Sequence, residues 1–252
     1  MVLSLRAHAP QPAPPPPVRG LAGLGPSHAG HSPSPALIRT QLLFTYSGMS
    51  PPLDPAVRRD LARAALQLAA QKPWRETTLV QLAHAASRPA ADFYGASLGE
   101  AVDCVEEAFD RAIGEDLDQL DPGQSVRDRL FELIMRRFEA MEPHRAAVLA
   151  MEAGQDRDPV LMGAAHQRHV RCARWVLALA GLEADGMTGQ ARAQGLGVII
   201  GQARIAWRGD EAGDFAKTMA SLDKNLRRAE EMFGRWAGFE GKPAAESGAA
   251  SG

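Results

Sequence analysis

Apolar residues recur at helical spacing from Asp54 to about residue 238, and β-branched runs are absent, so the sequence predicts an all-α fold. Asp54 is a favourable N-cap and Pro55 suits the first helical position, which places the start of the first helix there. Lys72-Pro73 ends that helix, and Trp74 follows in the break. In this part of the chain we expect helices over 54–71 and 78–86, a third beginning at Pro89, and a fourth over 98–117.

Asp121-Pro122-Gly123 is a strong turn signal, and it separates the predicted domains. Residues 54–120 are expected to form a three-helix helix-turn-helix module followed by a connecting helix. Residues 121–238 are expected to form a C-terminal helical bundle for ligand binding and dimerisation. Its five expected helices are 125–141, 143–154, 158–181 (with Gly181 as the C-cap glycine), 188–208 and 211–238.

Both ends of the chain have compositions typical of disorder. Residues 1–52 hold eleven of the eighteen prolines and no acidic residue, so they cannot bury enough apolar surface to offset chain entropy. We expect this segment to be a disordered tail, and its composition also fits a mis-assigned start upstream of a true start at Met49. Residues 239–252 are expected to form a second disordered tail.

The last predicted helix carries apolar residues at alternating steps of four and three, which is a heptad pattern. This pattern is compatible with a core helix, a dimer helix or an amphipathic membrane helix. The preceding helix is rich in glycine, which lets another backbone approach closely. The residues expected at a homodimer interface are Gly197, Gly201, Phe215, Met219, Leu222, Leu226 and Phe233.

The N-terminal module resembles the tetracycline-repressor (TetR) family of transcriptional regulators. The residues that carry the resemblance are Ala64-Ala65-Leu66, Leu68, Trp74, Thr77-Thr78-Leu79, Leu82-Ala83, Ala85-Ala86, Phe93-Tyr94 and Glu100-Ala101-Val102. The resemblance implies that the second and third helices read double-stranded DNA, and that a ligand bound in the C-terminal domain controls this binding. The DNA-binding residues it implies are Thr77, Thr78, Arg88, Ala90 and Tyr94.

Several positions in the module depart from the family pattern. Ser87 replaces the turn glycine, Ser97 replaces an aromatic residue, and Asp92 is acidic. Residues 54–114 hold seven basic and nine acidic side chains, a net charge of −2. Because phosphate contacts supply most non-specific DNA affinity, this is a weak electrostatic footprint. A helix-turn-helix-shaped scaffold without DNA contact is the alternative.

The C-terminal half is also similar to the coenzyme-Q-biosynthesis accessory family, lipid-binding proteins that share the TetR-like fold. The matching residues are Val126-Arg127-Asp128, Trp175, Ala180-Gly181, Asp210, Asp214-Phe215, Thr218 and Leu222. This second resemblance implies a lipid-binding accessory protein that makes no DNA contact and touches a membrane peripherally.

Methionine and aromatic side chains of the C-terminal domain could line an adaptable pocket for an apolar small molecule or lipid, or could equally be plain core. The pocket candidates are Met135, Phe138, Met151, Met162, Trp175 and Leu179.

The sequence carries no catalytic motif, so we expect a binding protein and not an enzyme, without a cofactor. Glu106-Glu107 is interpreted as a solvated pair on an exposed helix face. His166 and His169 have a spacing that can bind metal, but the neighbouring arginines disfavour a cation, so no metal site is expected. The overall charge of −2 implies no partner by itself, and two widely separated cysteines fit a cytoplasmic protein.

Overall fold

The structure is a computed structural model that describes residues 53–115, 117 and 123–232. These residues form helices joined by short turns and contain no strand, as the sequence predicts. The predicted tails over 1–52 and 239–252, together with Phe233, lie outside the described residues. The described α-helices are α1 (Pro55–Ala69), α2 (Leu79–Ala85), α3 (Leu98–Ile113), α4 (Val126–Met141), α5 (Arg145–Glu152), α6 (Pro159–Leu179), α7 (Gly186–Arg208) and α8 (Ala216–Met232).

Polar side chains cap most of the helix starts and explain why the helices begin where they do. Asp54 accepts a hydrogen bond of 2.7 Å from the backbone nitrogen of Ala56 at the start of α1. Thr78 and Gln81 form a reciprocal capping box at the start of α2. Asp158 caps α6 in the same way as Asp54 caps α1, and proline occupies the first position of both helices.

The predicted C-cap glycine of α6 is confirmed. Gly181 has a φ of +77°, and the backbone nitrogen of Leu182 donates to the carbonyl of Leu177 at 2.9 Å, which is the geometry of a Schellman cap. Helix α8 begins later than predicted, at Ala216. The left-handed conformations of Gly213 and Phe215, with φ of +77° and +55°, prevent an earlier helix.

The third helix of the N-terminal module is shorter than predicted. Instead of an α-helix from Pro89, the chain forms a 3₁₀ turn over Ala90–Phe93. Gly95 has a φ of +81° and redirects the chain immediately after Tyr94, so too few residues remain for a series of α-helical hydrogen bonds. Phe93 is buried and anchors the turn to the core, as its apolar character predicts.

The core runs from the N-terminal module into the C-terminal helices without a break. Helix α1 packs on α2, α3 and α5, and α6 packs along α7. Gly197 permits the close approach of α6 and α7, because a Cβ at this position would lie 2.9 Å from Cγ2 of Val170. Trp207 is fully buried near the end of α7. No helix among the described residues is long and apolar enough to cross a membrane.

Candidate DNA surface and ligand cavity

The surface of residues 79–94, called here the reading surface, consists of α2, a tight turn and the 3₁₀ turn. Ser87 occupies the turn with a φ of +54°, and Arg88 donates its backbone N–H to the carbonyl of Ala83 at 3.0 Å. The serine therefore adopts the left-handed conformation that glycine favours. Val80 and Tyr94 project from this surface with 70% and 79% of their area exposed.

The five residues expected to contact DNA occupy different environments. Ala90 and Tyr94 are exposed, and Thr78 is exposed but serves as the N-cap of α2. Thr77 is only 4% exposed, and its hydroxyl oxygen has no hydrogen-bond partner among the described residues. Arg88 is partly buried. Two of the five are therefore both exposed and free of a capping role.

Ion pairs within the described part of the module occupy four of its arginines, Arg58, Arg63, Arg88 and Arg111, and Arg58 and Arg88 each pair with two carboxylates. Arg88 binds Asp60 at 2.6 Å and Asp92 at 3.3 Å. Arg58 binds Glu107 at 2.7 Å and also pairs with Glu100. The guanidinium of Arg88 holds the pKa of Asp60 below its usual range, so this carboxylate stays ionised. The charge that Arg88 could offer to a phosphate is thus already opposed by two carboxylates.

A cavity of about 680 Å³ lies between the N-terminal module and the C-terminal helices. One wall comes from the 3₁₀ turn at Trp74 and from α3, and the opposite wall comes from α5, α6 and the segment between them. Its lining residues are Pro73, Trp74, Arg75, Leu98, Gly99, Val102, Val105, Glu106, Val148, Ala150, Met151, Glu152, Ala153, Gly154, Gln155, Arg157, Leu161, Ala165, Arg168, His169 and Arg204.

A buried ion network forms the floor of this cavity. Arg204 of α7 binds Glu106 at 3.0 Å and Glu152 at 2.7 Å, and it is 2% exposed. Arg137 of α4 is fully buried, binds Asp110 at 2.7 Å and also pairs with Glu106. Five side chains from four helices are thereby connected, which fixes the positions of α3, α4, α5 and α7 relative to one another.

Glu106 is buried at 7% exposure, so the interpretation of Glu106-Glu107 as a solvated pair is wrong for Glu106. Glu107 is half-buried and pairs with Arg58 and Arg111. Burial alone would raise the pKa of Glu106, but the charges of Arg204 and Arg137 outweigh burial and hold it well below its usual range. Sequence spacing does not reveal this network, because buried and exposed charges of a helix look alike in one sequence.

His169 borders both the cavity and the ion network. Burial, together with the positive charges of Arg137 and Arg204, lowers its pKa to about 3. The imidazole is therefore neutral at physiological pH. Its Nδ1 side faces α7, where a Cβ on Gly201 would lie 3.1 Å from Nδ1. His166, one turn away, lies 3.0 Å from Oε1 of Gln194 through its Nε2. No group of three metal-ligating side chains occurs within the described residues.

Of the six pocket candidates, Met151 lines the cavity. Met135 and Phe138 are buried in the core on α4, and Leu179 is half-buried near the end of α6. Met162 and Trp175 are 51% and 42% exposed. Helical spacing predicts which face of each helix is apolar, but it does not predict which helix packs against that face. In this structure α3 and α5 supply most of the apolar lining of the cavity.

The dimer candidates pack mainly within the chain. Leu222 and Leu226 are buried, and Gly197 and Gly201 face Val170 and His169 of α6. Phe215 is half-buried against the core, and Met219 is 41% exposed. Helix α7 also carries an exposed row without a charged side chain, consisting of Met187, Ala191, Gln194, Gly195, Val198, Gln202 and Ile205.

Asp210 organises the start of α8. Its carboxylate accepts hydrogen bonds from the backbone nitrogens of Lys217 and Thr218, both at 2.8 Å, and from the Thr218 hydroxyl at 2.5 Å. Arg145 donates to the Asp210 carbonyl at 2.6 Å and lies over the indole of Trp207. The Asp210 and Thr218 positions, which carry part of the coenzyme-Q-family resemblance, thus have a structural role in capping this helix.

The sequence matches no family model, and no curated protein matches it. The structure is similar to the crystal structure of a TetR transcriptional regulator from Rhodococcus sp. RHA1, with a TM-score of 0.51 and 16% sequence identity. The match covers 69% of this chain and 94% of that regulator. The chain therefore has the all-α fold of the TetR regulators, which confirms the predicted fold class.

Proposed function

We propose that this protein is a TetR-type one-component regulator, in which a small molecule bound in the cavity controls DNA binding by the reading surface. The observation that carries the proposal is the position of the cavity. Its lining includes Trp74 and Arg75, which lie a few residues before the reading surface, and residues of α5 and α6 in the C-terminal part. A volume of 680 Å³ is typical of small-molecule sites, and most of the lining of α3 and α5 is apolar.

The proposed coupling runs through Trp74. Its side chain is 8% exposed and lies against the cavity, and Thr78, the N-cap of α2, follows four residues later. A ligand that displaces Trp74 would move the start of α2 and hence the reading surface. Ligand and DNA would then favour different positions of this segment, and each would weaken the binding of the other.

A homodimer is part of the same proposal, since two reading surfaces are needed for two half-sites. The exposed uncharged row of α7 supports a two-fold contact through this helix, because depletion of charge is a property of interface cores. Met219 of α8 would extend this contact.

The test is DNA binding by the full-length protein. Fluorescence anisotropy with double-stranded DNA from upstream of its own coding sequence should show saturable binding that weakens as salt rises. Tyr94→Ala should weaken it, because Tyr94 is exposed on the reading surface, whereas Trp175→Ala, an exposed aromatic residue of α6, should not. The regulator proposal fails if the wild type binds this DNA no better than an unrelated duplex of equal length.

A second candidate function is a lipid-binding accessory protein of the same fold that makes no DNA contact. The ion pairs of Arg88 with Asp60 and Asp92, and the short 3₁₀ turn in place of a third helix, favour this alternative. It predicts that extraction of the purified protein releases a lipid detectable by mass spectrometry, while the anisotropy experiment shows no specific binding.

A further inference from the structure

The lining of the cavity carries an excess of positive charge. It contains four arginines (Arg75, Arg157, Arg168 and Arg204) and two glutamates (Glu106 and Glu152), and four minus two gives a net charge of +2. His169 adds nothing to this sum, because the imidazole is neutral at physiological pH. A purely apolar ligand would not pair with this excess positive charge.

The two arginines deep in the structure already have partners. Arg204 is bound by Glu106 and Glu152, and Arg168 is bound by Asp103 at 2.8 Å. Arg75 and Arg157 differ, because both are exposed and neither forms an ion pair with any residue in the described part of the chain. The unopposed positive charge of the cavity therefore belongs to these two exposed side chains.

The apolar part of the lining lies on the helices behind them. Leu98, Val102 and Val105 contribute from α3, Val148 and Met151 from α5, and Leu161 from α6. Apolar side chains of three helices, combined with unpaired cationic side chains at the solvent-exposed edge, match a ligand that has an apolar body and an anionic head, while the charges at the floor of the cavity remain paired with one another.

We propose that the cavity binds a single-chain anionic amphiphile, whose carboxylate or phosphate head pairs with Arg75 and Arg157 and whose chain lies against the apolar residues of α3 and α5. The proposal rests on the proposed function only in placing the ligand in this cavity. Each water-sized group occupies about 30 Å³, so 680 Å³ holds on the order of 20 non-hydrogen atoms. One medium-length acyl chain fits this volume, and a two-chain phospholipid does not.

This ligand would connect the two parts of the protein through its head group. Arg75 lies in the 3₁₀ turn Trp74–Glu76 next to the reading surface, whereas Arg157 ends the 3₁₀ turn Gln155–Arg157 before α6. An anion held by both arginines would restrain the two turns relative to each other. A neutral amphiphile would fill the same interior without this restraint.

The test compares three ligands that share one chain, namely dodecanoate, dodecyl phosphate and dodecanol, by displacement of an environment-sensitive dye from the full-length protein below micelle-forming concentrations. Wild type should bind at least one of the two anions about tenfold more tightly than dodecanol, and comparison of the two anions identifies the preferred head. In Arg75→Gln/Arg157→Gln the preference should disappear while dodecanol affinity stays unchanged. Arg59→Gln/Arg174→Gln, which alters two exposed arginines outside the cavity, should retain it.

Val102→Phe fills the cavity from α3. It distinguishes failure of the anionic-head proposal from failure of the cavity as the ligand site. Thermal melts check that each variant is folded. If wild type binds dodecanol as tightly as both anions, and Val102→Phe weakens all three, the cavity binds ligand but the anionic head is refuted. If no ligand binds, or if binding is unchanged in Val102→Phe, the cavity is not the ligand site and the proposed function fails with it.

Discussion

Arg88 of the reading surface donates a hydrogen bond of 2.6 Å from its Nε to the carboxylate of Asp60 on α1. This contact connects the turn after α2 to the first helix and opposes the one basic charge that the reading surface could present to DNA. In the regulator that we propose, Asp60 therefore limits DNA affinity while it stabilises the position of the turn.

Asp60→Asn should raise DNA affinity, because it removes a negative charge and leaves Arg88 partly available for a phosphate. The plot of log affinity against log salt should become steeper by about 1, as expected for one added phosphate contact. Anisotropy titrations at several salt concentrations measure this. Asp223→Asn, which removes a carboxylate from the exposed pair with Arg227 on α8, is the control. An unchanged salt dependence in Asp60→Asn would show that Arg88 does not face DNA.

Ser87→Gly should stabilise the protein by about 1 kcal/mol, since serine in the left-handed region is strained and glycine is not. Chemical denaturation of the two proteins gives the difference in the free energy of unfolding. Ser87→Ala keeps a side chain at the same position and should give no such gain. A loss of stability in the glycine variant would mean that the Ser87 side chain contributes a contact that outweighs the backbone strain.

Arg137→Met should destabilise the protein by about 3–5 kcal/mol, because it leaves Glu106 and Asp110 buried with one partner fewer. The matched change Arg227→Met, in an exposed i,i+4 pair, should lower the free energy of unfolding by less than about 1 kcal/mol. Urea denaturation compares the two. Equal effects would contradict the structural role assigned to the buried network.

His169 should make stability depend on pH. The unfolded chain binds a proton on this histidine near pH 6.5, whereas the folded chain does so only near pH 3. The free energy of unfolding therefore falls as pH drops from about 6.5 to 3, by up to ~1.4 kcal/mol per pH unit. Glu106, whose pKa is lowered in the folded state, adds a further loss below its ordinary pKa of 4.5.

His169→Gln should flatten this dependence between pH 6.5 and 5 and leave the acid-side loss from Glu106 in place. The groups around His169 in the native state are Glu106, Arg137, Arg204 and His166, and the substitution changes none of them. Thermal melts at half-unit pH intervals provide the comparison. If both proteins lose stability in parallel from pH 6.5 to 5, another group is responsible.

Local signals made most helix starts predictable from the sequence. Asp54, Thr78 and Asp158 are N-caps that act through their own side chains, and Gly181 ends α6 through its own backbone conformation. These effects involve residues a few positions apart, so a single sequence contains the information.

The site depends on contacts between distant segments and was predictable only in part. Met151 is among the pocket candidates, but the sequence assigns no ligand contact to Trp74 or Arg75, although both line the cavity. Glu106 accepts a hydrogen bond from Arg204, which lies 98 positions away in the sequence. No local sequence pattern distinguishes such a buried ion pair from a solvated one. The 3₁₀ turn at Ala90–Phe93 replaces the predicted third helix because Gly95, which follows it, is left-handed.

The reciprocal effect of ligand and DNA tests the central claim most directly. The affinity for upstream DNA should be measured with and without saturating dodecanoate, and the affinity for dodecanoate with and without that DNA. Dodecanoate and DNA should each weaken the binding of the other by the same factor, about tenfold, because linkage is reciprocal, and Val102→Phe should abolish the effect of dodecanoate on DNA binding. Dodecanoate bound in the cavity with no change in DNA affinity would contradict the account.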